Sequence, residues 1–243
     1  MTVTRWISAL FAIGSLLFVV GSVPAYLDAV GPRAVAATYA VGSIWFTAAA
    51  FVQLVQAQDP RLTQVSAATQ HDRLGVPQWR WGWHDPAWSA AASQFPGTLL
   101  FNVSTFAALI GDLTEQQQDR IVWRPDLYGS VLFLVASTFG LLAVGRLLSL
   151  RPRSWAWWAA WLNMAGSVAF MASALGAYVL PSGSLTDAVV ANGGTLVGAL
   201  CFFAGAMLLL PAWRQDLLPA RPEQPPSEES TVSRHQAFGE GAP

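Results

Sequence analysis

Residues 155–180 read WAWWAAWLNMAGSVAFMASALGAYVL, a run without one charged side chain. About 20 apolar residues in a helix cross the hydrocarbon core of a bilayer, so this run predicts a membrane span. Within it lies Gly166-Ser167-Val168-Ala169-Phe170, and relatives of that phrase recur elsewhere. Glycine followed by serine occurs at Gly14, Gly21, Gly42, Gly129, Gly166 and Gly183, and in four of these phenylalanine stands four residues on, at Phe18, Phe46, Phe133 and Phe170. Gly97 with Phe101 and Gly198 with Phe202 are looser copies.

Seven residues after each of these six glycines comes a small residue: Gly21, Ala49, Ser104, Ala136, Ser173 and Gly205. Positions i, i+4 and i+7 share a helix face. Glycine and the small residue let a neighbouring backbone approach while phenylalanine fills the remaining space, as helices require where lipid supplies no hydrophobic drive for association. The odd-numbered segments match further, with Ala25-Tyr26, Ala108 and Ala177-Tyr178 at the same offset. The simplest repeat is therefore a helical hairpin used three times. Gly194 and Gly198 form a GxxxG pair, read as packing within the chain rather than as a dimer contact.

The 243 residues are 53% hydrophobic and 11% charged, against about 25% charged in soluble domains. Mean hydropathy is +0.41. All 13 basic residues are arginine and the net charge is −1, so no basic field invites nucleic acid. The lone Cys201 excludes an intrachain disulfide and reads as a small apolar side chain. Twelve tryptophans gather at segment ends and in loops, where indole favours the membrane interface; the anchors expected are Trp79, Trp81, Trp83, Trp88, Trp123 and Trp155.

The pattern predicts an all-α integral membrane protein with spans at 6–26, 34–57, 96–113, 127–148, 155–180 and 188–210. The first resembles a signal peptide but exceeds the usual apolar core of one, and it carries the repeated phrase, so it reads as a retained span. The third is the shortest and holds Asn102, Ser104 and Thr105; Pro96 suits its first position. A tryptophan-rich connection covers 58–95, and a tail at 213–243 is too polar to fold. With a cytoplasmic N-terminus, ten arginines fall inside, while Arg33, Arg120 and Arg124 fall outside. The positive-inside rule thus favours both termini in the cytoplasm; the arginine-only, alanine-rich composition is associated with a GC-rich bacterial genome, which makes a bacterial inner membrane the expected location.

His71-Asp72 and His84-Asp85 are the places where histidine adjoins carboxylate, and two such pairs folded together would make a metal or catalytic centre. A surface-lying loop anchored by indoles explains them more simply. Asn102, Asn163, Asn192 and Gln53 are the polar side chains within spans and read as cross-helix hydrogen-bonding groups, while Asp112, Asp126 and Asp187 fall at outer ends. No nucleotide, hydrolase or zincin motif is present, so no catalytic residue or cofactor is expected.

Trp123-Arg124-Pro125-Asp126, then Gly129-Ser130, Phe133 and Ala136-Ser137, with Arg151-Pro152-Arg153-Ser154-Trp155, Asn163, Gly166-Ser167 and Phe170, resembles bacterial, actinobacterial-type multi-pass proteins related to the YrhK-like domain. That resemblance covers about 123–178 and brings no catalytic residue with it. The function expected is a non-enzymatic scaffold or accessory subunit that binds membrane lipid, a membrane-protein partner or a second copy of itself. The alternative is a small permease for an uncharged or amphipathic solute, and the least favoured is an enzyme using the His-Asp pairs.

Overall fold

A computed structural model describes residues 3–58, 81–145, 154–180 and 185–216 of the chain. Among them the structure is helical throughout, with no strand and one isolated bridge between Val179 and Leu185. The helices are α1 (Val3–Gly21), α2 (Pro24–Val30), α3 (Pro32–Gln58), α4 (Pro86–Ile110), α5 (Arg124–Ala143), α6 (Trp155–Gly176) and α7 (Ala188–Asp216). A turn at Glu115–Gln117 and a π-helix at Gln118–Trp123 lead into α5. Five helical stretches are long and apolar enough to cross a membrane: α1, α3, the run Glu115–Ala143, α6 and Ala188–Leu209. They mark the chain as a helical membrane protein.

Local chemistry fixes the boundaries. The Asp85 carboxylate accepts from the Ala87 amide at 2.9 Å and Pro86 occupies the first turn, so α4 starts there. The third expected span therefore begins at Pro86 rather than Pro96, and Pro96 lies inside the helix, where its missing N–H costs one backbone hydrogen bond. At 25 residues α4 is long, but Ser89, Ser93, Gln94, Asn102, Ser104 and Thr105 lower its apolar character, and it is not among the five. Thr114 and Gln117 form a capping box on the following turn. Asp187 caps α7 by accepting from Val189 and Val190 at 2.9 and 3.0 Å. Gly31 breaks α2 from α3 with φ of 81°, a conformation that costs glycine nothing.

The six long helices close a ring. α1 packs on α3, α4 on α5 and α6 on α7, and these pairs join through α3–α4, α5–α6 and α7–α1. Sequence neighbours run antiparallel. Hydroxyls cross the seams: Ser43 with Thr105 at 2.9 Å, Ser137 with Ser167 at 2.7 Å, and Ser173 with Thr195 at 2.7 Å. Asn102 donates to Thr47 at 2.9 Å, the cross-helix role expected of it. Such bonds, together with hydroxyls returned to their own helix as in Ser15 to the Phe11 carbonyl, leave few polar groups facing lipid.

At the centre Phe18, Phe46, Phe101, Phe133, Phe170 and Phe202 meet, each 2–6% exposed. Phe18 pairs with Phe46, Phe101 with Phe133 and Phe170 with Phe202 at centroid separations of 5.5, 5.0 and 5.1 Å. Contacts between pairs run from Phe170 to Phe18 and Phe101, and from Phe202 to Phe46 and Phe133, all within 5.9 Å. The residue after each glycine of the phrase, Ser15, Ser43, Thr98, Ser130, Ser167 or Ala199, is at most 1% exposed.

Candidate functional site

The residues singled out by sequence separate into two groups. Gly14, Gly42, Gly97, Gly129, Gly166 and Gly198 all sit at helix crossings. A Cβ on Gly14 would stand 2.7 Å from the Phe46 ring and one on Gly42 2.9 Å from Phe18. Gly129 faces Phe101 and Gly166 faces Phe202, each at 3.2 Å, Gly97 lies against Leu132 and Phe133, and Gly198 is in contact with Phe170. Each glycine thus receives the phenylalanine of the helix packed against it. Gly194 approaches the Ala169 carbonyl and the Ser173 amide, so the GxxxG pair is consumed within the chain.

The tryptophan-rich connection divides differently. His71, Asp72 and Trp79 lie outside the described residues. His84 and Asp85 are exposed, and Asp85 is engaged as the cap of α4. Among the described residues no group of three or more His, Cys, Asp or Glu gathers. Trp81 and Trp83 stack at 5.3 Å and are well exposed, as interfacial indoles would be. Trp88 is 4% exposed and packs edge-on against Trp83, so it serves the interior of the bundle end. Trp123 donates to the Ala174 carbonyl at 2.8 Å and lies edge-on to Tyr178, tying the π-helix to α6, while Trp155 is exposed at the start of α6.

A cavity of about 340 Å³ opens at the opposite end of the bundle from the N-terminus of α1. Phe18, Phe101 and Phe170 of the central cluster line it, together with Ala108, Ala177 and Leu185. Seven residues separate Phe101 from Ala108 and Phe170 from Ala177, so the space runs roughly 10 Å along the helices. Its polar groups are Tyr39, Ser104, Thr105, Ser173, Asn192 and Thr195, with one carboxylate, Asp126. The chain has no lysine, and among the described residues no arginine lines the cavity.

Most of these polar groups are already bonded within the wall. Tyr39 pairs with Ser22 at 3.0 Å, Thr105 donates to the Phe101 carbonyl at 2.8 Å, Ser173 to the Ala191 carbonyl at 2.6 Å and Thr195 to that same carbonyl at 3.0 Å. Asp126 and Asn192 have no hydrogen-bond or ion-pair partner among the described residues. The nearby cation Arg124 is directed to Asp119, 2.7 Å away on the exposed π-helix. A carboxylate between apolar walls is costly unless something compensates it, which makes it the side chain here most in want of a partner.

Tyr39, Asp126 and Thr195 stand three residues before Gly42, Gly129 and Gly198. They occupy one register of three comparable helices and all line the cavity. Reading forward from each glycine finds the packing face; reading three residues backward finds these. Without that step Asp126 looks like an ordinary charge at the end of a span. No family model, curated protein or solved structure matches this chain.

Proposed function

We propose that this is a non-enzymatic protein of the bacterial cytoplasmic membrane, a six-span bundle of three helical hairpins that holds a small amphipathic molecule or lipid in its end cavity. The observation that carries this reading is the cavity itself: mostly apolar walls, a polar collar, and a volume within the roughly 300–1,000 Å³ of small-molecule sites. The reciprocal glycine and phenylalanine contacts support three equivalent hairpins, in which case α4 crosses with the other five helices. Arginine placement supports cytoplasmic termini, and the cavity then opens on the outer side.

Purification of the full chain in mild detergent, followed by mass spectrometry of what is released on denaturation, tests the reading. A small amphiphile or lipid should leave with the wild-type protein in near-stoichiometric amount. Ala177→Phe, which places a ring in the cavity, should remove it without altering thermal stability. Equal recovery from both proteins would overturn the assignment. The permease reading rests on the same cavity and requires the six phenylalanines to part; ligand uptake by reconstituted vesicles would favour it over simple binding.

A further inference from the structure

The geometry points to an organic ammonium ion as the ligand class of this cavity, with Asp126 as its counter-ion; this rests on the binding reading above and names what is bound. Three cavity-lining polar side chains, Ser104, Asp126 and Asn192, make no hydrogen bond to the wall among the described residues, and one of them is a carboxylate. Among the described residues nothing cationic lines the space to neutralise it. A ligand that brings its own positive charge would do so, through a charge-assisted N–H to carboxylate hydrogen bond, which is stronger than one between neutral groups.

The remaining walls distinguish among cations. A calcium ion takes six to eight oxygen ligands, carboxylates foremost, and the described lining offers a single carboxylate, Asp126. Phe18, Phe101, Phe170 and Tyr39 present rings instead, which suit the apolar body of an amine and favour its charge through their π faces. Asn192 supplies an amide to a second polar atom. An apolar or aromatic body with one protonated nitrogen fits these features; an anion meets Asp126 with like charge.

The test uses the full chain in detergent micelles and three probes of similar shape at neutral pH: phenethylammonium, phenethyl alcohol and phenylacetate, titrated by calorimetry. Wild type should bind the ammonium at least about tenfold more tightly than the alcohol, with phenylacetate weakest. Asp126→Asn should erase that preference, Asp126→Glu should retain part of it, and Ala177→Phe should abolish binding of all three. The wild-type comparison among probes stands even if a variant fails to fold. Equal affinity for ammonium and alcohol would overturn the ammonium assignment but leave cavity binding intact. Ammonium binding that survives in Ala177→Phe would also overturn it. Failure of wild type to bind any of the three would remove both readings.

Discussion

Gly14 and Phe46 interlock across the first helix pair: a Cβ added to Gly14 would lie 2.7 Å from the Phe46 ring and 3.0 Å from the Gly42 carbonyl oxygen. At Gly194 the obstructing atoms are backbone, the Ala169 carbonyl at 2.7 Å and the Ser173 amide at 2.8 Å. Neither neighbour can yield without moving a helix. Gly14→Ala and Gly194→Ala should therefore destabilise by about 1–3 kcal/mol. Gly140 and Gly193 have nothing within 4 Å of the added atom, and their alanine variants should stay within about 0.5 kcal/mol of wild type. Unfolding in mixed micelles measures all four, and a uniform response would show that crossing geometry does not set the cost.

Phe170 touches Phe18, Phe101 and Phe202, and so joins the three helix pairs at one point. Phe170→Ala should cost about 3–5 kcal/mol, the range for emptying a packed aromatic site. Phe51, half exposed on the outer surface, should lose far less on the same change. The comparison also bears on the cavity, because Phe170 lines it. The variant should enlarge the space and admit bulkier probes.

Much of the architecture was legible because one packing problem recurs. The crossing within each helix pair needs a glycine, a buried small residue and a ring, and those demands leave the same spacing in the sequence at Gly14, Gly97 and Gly166. The start of α4 was not legible from hydropathy: Trp88, Ser89 and Gln94 are buried against protein rather than lipid, so their polarity disguised helix as loop. Proline misled for a related reason, since Pro96 fits a first turn as well as a helix interior with one bond missing. The cavity was hidden because its lining comes from several helices, with Tyr39, Asp126 and Thr195 differing in chemistry where the frame is alike. Sequence repetition reveals the frame and is blind to what varies upon it. Asp126 became informative only when the groups around it were known.

Ser137 and Ser167 join α5 to α6 at 2.7 Å, and Ser167 is also 3.2 Å from the Phe133 carbonyl and 2.9 Å from that of Asn163. Replacing either serine by alanine breaks the shared bond, so the second replacement should cost less than the first. A double-mutant cycle should give a coupling of about 0.6–1.7 kcal/mol, as for hydrogen bonds between membrane helices. Additive losses would show that each hydroxyl is satisfied by backbone alone.

Membrane crossing by α4 decides whether the helices alternate direction through the bilayer or only within the bundle. The helix is long enough, and three of its polar residues make bonds: Asn102 donates to Thr47, Thr105 to the Phe101 carbonyl and Thr98 to the Phe95 carbonyl, while the buried Asn102 Oδ1 has no partner among the described residues. The groups bonded in this way no longer oppose burial in lipid as free groups would. Cys201 is the chain's single cysteine, so Cys201→Ala provides a background for His84→Cys and Glu115→Cys, two exposed positions on either side of α4. In intact cells a membrane-impermeant maleimide should label position 115 at once and position 84 only after permeabilisation. Labelling of both from one side would mean that α4 does not cross.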